Sequence, residues 1–318
     1  MHKIFITGGC GFIGSHLTEH FFKKYKNSMI YVYDKITYAA SIKNLRSISK
    51  SKRLKIIKND ISNYKALKFH SKNTDIFIHA AAESHVDNSF NLTNEFIITN
   101  VLGTKNVLDV CKVNKIKKII HISTDEVYGE IYKSSFDENS RFNPSNPYSS
   151  SKAAAEMIIN GYIHSYKLPV IIIRANNIFG TRQHPEKLIP GSCWSLIKKK
   201  KFTIHGKGNQ KRSFLYVKDL CEGVHKVISK GKNHNIYNIG SKFEYKNIDV
   251  FKLVAKANNL RFNDFVTYVK DRPFNDYRYS LNFKKIMKLG WKPKTKIEDK
   301  ILEINNWYKK NISRFKKR

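Results

Sequence analysis

The sequence has little of what builds a membrane, secreted or metal-binding protein. No apolar run approaches the ~18 residues that a membrane-spanning helix needs. The N-terminal residues 4–6 are typical of a strand, not of a signal peptide. The four cysteines lie far apart and include no Cys-x-x-Cys pair, so the usual zinc and thiol-redox spacings are absent. We therefore expect a cytoplasmic protein with no metal site and no membrane partner.

Acidic residues are also scarce, since 25 Asp and Glu stand against 59 Lys and Arg, and the formal net charge at pH 7 is +34. Such a charge is typical of surfaces that bind nucleic acid or anionic membranes. Here the basic residues are spread along the whole chain, and the densest runs, 198–201 and 309–318, have the character of solvated helix ends. We expect no specific nucleic-acid partner, although non-specific binding to polyanions at low salt is expected.

The 318 residues, 41% of them hydrophobic, suffice for one large domain or two closely joined ones and argue against wholesale disorder. Short apolar runs alternate in the first half with helical segments at 15–24, 93–113 (with Thr93 as N-cap) and 148–166. This alternation predicts an α/β fold of the Rossmann type, a doubly wound parallel sheet with helices on both faces. The predicted strands are 4–6, 30–33, 54–57, 76–78, 118–122 and 170–173.

Beyond about residue 176 the pattern loosens into loops and short helices, which predicts a smaller C-terminal domain. Two later segments, 214–217 and 236–239, have strand character and are expected to return to the first domain. The predicted division is residues 1–175, with strands returning from about 214–242, and residues 176–318.

A glycine-rich loop joins the first predicted strand to the first helix. Gly8, Gly11 and Gly14 would allow a tight turn, close approach to a pyrophosphate and close helix packing, with the phosphate at the helix N-terminus. Asp34 follows the second strand, 20 residues after Gly14. Its carboxylate would hold the adenosine ribose hydroxyls and repel a 2′-phosphate, so the pattern predicts NAD rather than NADP.

Two further loops lie at the carboxyl ends of predicted strands, where such sheets bind ligands. Asp60 and Ile61 follow the third strand, and the small residues Ala80, Ala81 and Ala82 follow the fourth. The first pair is placed for the adenine, and the alanines would let the backbone approach a dinucleotide. Strand-end packing is the alternative interpretation of both loops.

Tyr148 and Lys152 are spaced at i and i+4, on one face of a predicted helix. A phenol with its ordinary pKa of about 10 is a poor base at neutral pH. A neighbouring ammonium and the nicotinium charge of bound NAD favour the phenolate. The Tyr-x-x-x-Lys spacing is common, but after a dinucleotide loop and Ser123-Thr124 it indicates a hydride-transfer site.

The sequence resembles the extended short-chain dehydrogenases/reductases and, among them, the dTDP-glucose 4,6-dehydratases. The resemblance extends from residue 5 to about 293 and implies an NAD-binding domain (1–175), a substrate-binding domain (176–318) and a homodimer formed through helices around 95–113 and 148–166. Its substrate would be a nucleoside-diphosphate glucose. The stretches that carry it are TGGCGFIGSH, HAAAESHVDNSF, STDEVYGE, NPYSSSKAAAE, RANNIFGTRQHPEKLIP, RSFLYVKDL and DRPFNDYRY.

Asp125 and Glu126 are the most informative pair within these stretches. An epimerase of this family only moves a hydride off and back, whereas a dehydratase also needs an acid and a base to remove water. Neighbouring side chains of a strand point to opposite faces, so both carboxylates reach one sugar only if the strand ends near Ser123. The alternative interpretation is that Asp125 and Glu126 lie in a solvated loop and do not act as acid and base.

The resemblance also implies residue roles. Tyr148 would take the C4 hydroxyl proton, Lys152 would support the phenolate and the nicotinamide ribose, and Thr124 would hydrogen-bond the C4 oxygen. Glu126 would remove the C5 proton while Asp125 protonates the C6 hydroxyl. The further implied cofactor contacts are Phe12, Ile13, Lys35, Thr37, Thr99 and Asn177. The implied substrate contacts are Ser84, Thr124, Asn176, Lys187, Leu188, Thr203, His205, Arg212, Asn247, Arg272 and Asn275.

Arg212 and Arg272 suit a diphosphate, because guanidinium binds phosphate through paired donors. Asn88, the Asn-Asn-Ile-Phe-Gly run at 176–180 and the segment 273–276 depart from the bacterial pattern and resemble UDP-glucose 4,6-dehydratases. The nucleotide therefore stays open between dTDP and UDP. The rival hypotheses are a nucleotide-sugar epimerase or decarboxylase of the same family, and a non-catalytic NAD-binding protein that associates with polyanions.

Overall fold

A computed structural model describes residues 2–271 and 276–315 of the chain. Its strands in chain order are β1 (Lys3–Thr7), β2 (Met29–Asp34), β3 (Leu54–Lys58), β4 (Ile76–His79), β5 (Lys118–Thr124), β6 (Val170–Ala175), β7 (Asn177–Phe179), β8 (Phe202–His205), β9 (Lys211–Tyr216), β10 (Ile236–Ile239), β11 (Glu244–Lys246) and β12 (Val266–Val269). Its α-helices are α1 (Phe12–Lys24), α2 (Tyr64–His70), α3 (Val86–Asn91), α4 (Thr93–Phe96), α5 (Gly103–Val113), α6 (Pro147–Tyr166), α7 (Leu188–Ile197), α8 (Val217–Lys230), α9 (Asn247–Ala257), α10 (Lys284–Met287) and α11 (Ile301–Asn311). None of the described helices is both long enough and apolar enough to cross a bilayer.

Seven strands form the main sheet, in the order β10-β6-β5-β4-β1-β2-β3, and every neighbouring pair is parallel. Parallel strands need covered faces, and separate clusters of buried apolar side chains pack on the sheet. The direction of winding reverses between β1 and β4, and a ligand crevice is expected at such a reversal. The predicted Rossmann-type doubly wound sheet is confirmed.

The two segments expected to return to the first domain behave differently. Residues 236–239 join the main sheet as β10, next to β6. Residues 214–216 belong to β9, which pairs with β7 and β11 in a separate three-stranded sheet. Residues 214–216 therefore pair with the short strand β7, directly after Asn176, and not with the main sheet, and their assignment to the first domain remains a prediction. The division of the chain near residue 175 remains a prediction.

The predicted helix 93–113 is present as α4 and α5, joined through a π-helical turn at Ile97–Leu102. Thr93 is not its N-cap, because the cap position belongs to Leu92 and the Thr93 hydroxyl donates to the Ser89 carbonyl at 2.8 Å. The π turn brings the buried Asn100 side chain onto the Ser151 hydroxyl at 2.9 Å. This contact joins the turn to α6, which carries Tyr148 and Lys152.

Candidate active site

Two cavities open at the carboxyl ends of the main sheet and share a wall. The residues that line both are Glu126, Asn177, Ile178, Gln183, Glu186 and Lys187. We call the cavity at β1 and α1 the cofactor cavity and the other the substrate cavity. All residues that the sequence assigned to the cofactor lie along the first: Gly8, Gly11, Phe12, Ile13, Gly14, Asp34, Lys35, Thr37, Asp60, Ile61, Ala80, Ala81, Ala82, Thr99, Tyr148, Lys152 and Asn177.

The glycine loop is packed too closely for side chains. Gly8 has a φ of +71°, and a Cβ there would lie 2.6 Å from the Ala81 nitrogen. A Cβ on Gly14 would lie 2.0 Å from the Gly8 oxygen. Gly11 caps α1 without a side-chain hydrogen bond, and the first turn carries no acidic residue. The positive end of α1 therefore faces the cavity uncovered, as an anion site requires.

Asp34 is held at the end of β2 by backbone donors. Its carboxylate accepts hydrogen bonds from the Cys10 amide at 2.8 Å and from the Ile36 amide at 2.7 Å. Burial raises the pKa of this carboxyl, while the backbone donors oppose that shift. Lys35 reaches Asp60 at 2.8 Å across the same rim.

Asn177 supplies a test of whether a dinucleotide fits. Its side-chain nitrogen is buried and has no hydrogen-bond partner within the described residues, although it lines both cavities. A buried amide without an acceptor is costly, so the position is suited to a polar ligand. Together with the uncovered end of α1 and the Asp34 carboxylate, it makes the cavity fit a dinucleotide phosphate and ribose.

The helix that carries Tyr148 and Lys152 begins at a capping box. Asn146 accepts from the Ser149 amide at 2.9 Å, and Pro147 occupies the first turn. Both functional side chains are buried. Burial and the charge of Glu126 raise the pKa of the Tyr148 phenol, whereas burial lowers the pKa of Lys152 to about 8.

The two carboxylates follow directly on β5. The strand ends at Thr124, and a 3₁₀ turn spans Asp125–Tyr128. The end of the strand at this point is what allows both carboxylates to face one ligand. In this turn the Asp125 side chain lines the cofactor cavity and Glu126 lines both cavities. Burial and the neighbouring Glu126 charge raise the pKa of Asp125 to about 7. Burial also raises the pKa of Glu126, against the opposing charges of Lys187 and Arg212.

A buried ion pair supports this turn from behind. Arg174 on β6 donates to Glu156 on α6 through both Nε and Nη2, the shorter contact being 2.7 Å. Glu156 also accepts from the Ser123 hydroxyl at 2.5 Å, and Arg174 donates to the Tyr128 hydroxyl at 2.6 Å. The residues on both sides of Asp125 and Glu126 are thereby anchored to one network.

The substrate assignments divide between the cavities. Lys187, Leu188, Thr203, His205, Arg212 and Asn247 line the substrate cavity. Ser84, Thr124 and Asn176 line the cofactor cavity. Arg272 and Asn275 lie outside the described residues.

Asn176 differs in its surroundings from what the resemblance implied. Its side-chain nitrogen donates to Asp125 at 2.7 Å, and its side-chain oxygen accepts from the Ser241 amide at 2.9 Å. Lys187 donates to the Ser84 carbonyl at 2.7 Å, across the mouth of the site. Arg212 lies with its guanidinium carbon 4.6 Å from the centre of the Tyr279 ring. The roles of these residues toward a substrate remain predictions.

Several lining residues were not singled out from the sequence, namely His85, Asn146, Glu186, Gln210, Asp276 and Tyr279. Glu186 directly precedes Lys187 in the stretch RANNIFGTRQHPEKLIP, so its position in the sequence already indicated that it could line the site. Asp276 and Tyr279 lie in the stretch 271–279, which carried a similar signal. Asn146 is the first residue of NPYSSSKAAAE, another of these stretches, and stands directly before Pro147.

Comparison with known proteins places the chain in a family. The family model for GDP-mannose 4,6 dehydratase matches residues 5–304. A dTDP-D-glucose 4,6-dehydratase of Dictyostelium discoideum is 42% identical, over 98% of this chain and 82% of that protein. A trifunctional enzyme of Arabidopsis thaliana, whose name begins with UDP-glucose 4,6-dehydratase, is 40% identical over 97% of this chain and 47% of that protein.

A solved structure agrees over the whole chain. The crystal structure of a dTDP-glucose 4,6-dehydratase from Streptomyces venezuelae, with NAD and TDP bound, has a TM-score of 0.95 at 33% identity and covers 99% of both chains. The resemblance inferred from the sequence motifs is confirmed. This protein belongs to the GDP-mannose 4,6-dehydratase family.

Proposed function

We propose that this protein is an NAD-dependent nucleotide-sugar 4,6-dehydratase, which converts dTDP-glucose or UDP-glucose to the 4-keto-6-deoxy sugar nucleotide and water. The observation that carries the proposal is the position of Asp125 and Glu126. Both carboxyls line the cofactor cavity together with Tyr148 and Lys152, and Glu126 also lines the substrate cavity. An acid and a base at that point are what elimination of water adds to C4 oxidation.

NAD would be held by the glycine loop and the N-terminus of α1 at its pyrophosphate and by Asp34 at its adenosine ribose. Lys152 would hold the nicotinamide ribose. NAD held in this way would supply the acceptor for the C4 hydride and the source of the hydride returned to C6, so the cycle would need no added reductant.

Tyr148 and Thr124 act at the C4 oxygen of the sugar. Tyr148 takes the proton from the C4 hydroxyl, and the Lys152 ammonium favours its phenolate. Thr124 hydrogen-bonds the same oxygen. The ketone formed at C4 acidifies the C5 hydrogen and so prepares the elimination.

Asp125 and Glu126 perform the elimination. Asp125, with its pKa raised to about 7, keeps a substantial protonated fraction at neutral pH and gives its proton to the C6 hydroxyl. Glu126 faces the charges of Lys187 and Arg212, which favour its ionised form, and it removes the C5 proton. A proton returns to C5 when hydride is returned to C6, so the net change in the sugar is the loss of one water. An epimerase would have no use for this buried acid and base, and the dehydratase is the better assignment.

The sugar nucleotide would occupy the substrate cavity. Arg212, Lys187 and Leu188 line this cavity. The Arg212 guanidinium would bind the diphosphate, and Lys187 and Leu188 would hold the base and ribose. Thymine and uracil differ by one methyl, worth about 1 kcal/mol of burial. Relatives of both specificities are about equally similar to this chain, at 42% and 40% identity.

A homodimer is part of the proposal. The helical segment 93–113 and α6 pack together, and both expose apolar side chains. The exposed fractions are 44% for Ile97, 47% for Ile98, 53% for Leu102 and 55% for Met157. Several large apolar side chains exposed on two adjoining helical segments are typical of a subunit interface. The four free, buried thiols fit a reducing compartment, and we propose the cytoplasm.

The test is mass spectrometry after purified protein is incubated separately with dTDP-glucose and with UDP-glucose, without added reductant. Loss of one water is expected, and the ratio of initial rates names the nucleotide. If neither sugar loses water while the protein still carries NAD, epimerisation or a non-catalytic role replaces this proposal.

A further inference from the structure

Two buried histidines lie behind the catalytic lysine. His79 on β4 and His121 on β5 face each other in the parallel register, with ring centroids 5.2 Å apart. Each is 2% exposed, and neither lines the cofactor or the substrate cavity. The proposed mechanism therefore gives them no contact with cofactor or sugar.

His121 contacts the Lys152 ammonium directly. The Lys152 Nζ lies 3.2 Å from His121 Nε2 and donates to the Ile122 carbonyl at 2.9 Å. An ammonium has three N–H donors. These two contacts use two of them and leave the third for the cofactor cavity, which Lys152 lines. The direction of the third donor is therefore set by one backbone carbonyl and one imidazole.

The imidazole of His121 is neutral in this arrangement. The titratable groups that face it are Lys152 from α6 and His79 from β4, while its partner on β6 is the apolar Ile172. Burial and the lysine charge hold the pKa of His121 well below its ordinary value. Its Nε2 therefore accepts from Lys152, and its Nδ1 carries the proton.

His79 is locked in its neutral form by its own contacts. The Thr104 hydroxyl donates to the Asn100 carbonyl at 2.6 Å, so it accepts from His79 Nε2 at 3.1 Å. His79 Nδ1 then accepts from the Thr7 hydroxyl at 2.8 Å. The lysine thus packs against a neutral imidazole pair, and no second cation stands beside it among the described residues.

The Nδ1 of His121 has no hydrogen-bond partner among the described residues and is buried. A buried N–H without an acceptor costs stability. An apolar ring at this position would avoid that cost but could not accept a hydrogen bond from Lys152. The acceptor at Nε2 is therefore the feature that explains a histidine at this position.

We propose that His121 is a positioning residue of the active site, whose neutral imidazole accepts a hydrogen bond at Nε2 and thereby directs the remaining donor of Lys152 toward Tyr148 and the nicotinamide ribose. The proposal rests on the proposed function.

Two substitutions separate the acceptor from the ring. The amide of His121→Gln reaches the position of Nε2, whereas the shorter amide of His121→Asn reaches only that of Nδ1. We expect His121→Gln to keep kcat and the NAD dissociation constant within about threefold, and His121→Asn to lower kcat and weaken NAD binding by about 10- to 100-fold, as for a lost bond to a charged group. KM for the sugar nucleotide should stay unchanged in both.

The pH dependence gives a second readout. Loss of the acceptor removes a bond to the charged form and lowers the pKa of Lys152. In His121→Asn the rate of NADH formation in a single turnover, followed by absorbance, should therefore decline at a lower pH than in the wild type. If both variants behave like the wild type, or if both lose NAD binding equally, the proposal is overturned.

Nitrogen-15 NMR of histidine-labelled wild-type protein avoids any effect of substitution on folding. His121 should show an unprotonated Nε2 and a protonated Nδ1 that do not titrate between pH 5.5 and 8.5. A protonated Nε2 or a titrating ring contradicts the proposal. The NAD and NMR measurements also keep their meaning if the wild type proves not to dehydrate a sugar nucleotide, so failure of the proposed function is recognised separately.

Discussion

The side-chain nitrogen of Asn176 donates a hydrogen bond of 2.7 Å to the carboxyl of Asp125. The amide orientation is set by the Ser241 amide, which donates to the Asn176 side-chain oxygen at 2.9 Å. A donor of this kind favours the ionised carboxylate, but burial and the charge of Glu126 outweigh it and raise the pKa of Asp125 to about 7. The Asn176 amide thus orients the Asp125 carboxyl, the proposed general acid, and limits the rise in its pKa.

The first prediction concerns the pH dependence of dehydration. Asp125 must be protonated to act as an acid, so kcat should fall as pH rises through about 7. In Asp125→Asn this decline should disappear and kcat should drop by about 100-fold, because an amide cannot protonate the C6 hydroxyl. Mass spectrometry of quenched samples from pH 5.5 to 9 measures both effects. A decline centred near pH 7 that survives the substitution would assign the acid to another group, whereas a decline near pH 8, from loss of the Lys152 ammonium, is expected in both proteins.

Asn176 should move this decline in a predictable direction. Removing the donor in Asn176→Ala favours the neutral carboxyl, so the alkaline decline should shift to higher pH. Asn258→Ala is the matched control, since Asn258 pairs with Asn305 away from both cavities. Its pH profile should equal that of the wild type. A shift to lower pH in Asn176→Ala contradicts the tuning role.

The buried pair of Glu156 and Arg174 should matter for stability. Glu156→Gln leaves a buried guanidinium without its counter-charge and should lower the free energy of unfolding by about 3 kcal/mol. Glu303→Gln breaks the exposed pair with Lys300 and should change the free energy of unfolding by about 1 kcal/mol or less. Urea denaturation followed by circular dichroism compares the two. If both variants lose the same free energy of unfolding, burial of the Glu156–Arg174 pair does not make it more important for stability than an exposed pair.

The glycine loop makes a prediction about cofactor content. In Gly14→Ala the new Cβ would meet the Gly8 oxygen, so the loop must open and NAD should be lost on purification. Gly161→Ala on α6 is the control, since a Cβ at that position would have open space for 4 Å around it. NAD released by acid denaturation and measured enzymatically reports the outcome. Full NAD content in Gly14→Ala would exclude close approach at this loop.

The apolar surface of the two adjacent helical segments predicts the oligomeric state. The wild type should sediment as a dimer, and Leu102→Lys or Met157→Lys should shift it toward monomer, because each places a charge in a desolvated interface. Ile42→Lys, at a similarly exposed apolar residue outside this surface, should leave the dimer intact. Sedimentation velocity distinguishes these outcomes, and a monomeric wild type would remove the homodimer from the proposal.

Features that depend on neighbouring residues were accessible from the sequence. Strand β1, the glycine loop and α1 could be predicted from apolar periodicity and glycine spacing. The position of Tyr148 and Lys152 on one helical face could be predicted from their i,i+4 spacing. The end of β5 before Asp125 could be inferred because the apolar run stops there. Each of these depends on contacts within one strand–turn–helix unit.

Contacts between distant segments were decided by the tertiary structure. Asn176 reaches Asp125 across 51 positions, Arg174 reaches Tyr128 across 46, and Lys152 reaches His121 across 31. The pairing of β9 with β7 rather than with the main sheet belongs to the same class. The amino-acid sequence by itself determined which chemical groups this protein owns and the local elements that carry them. Only the packing of β4, β5, β6 and α6 decided which of those groups meet in the low-dielectric interior, where burial and charge set their protonation.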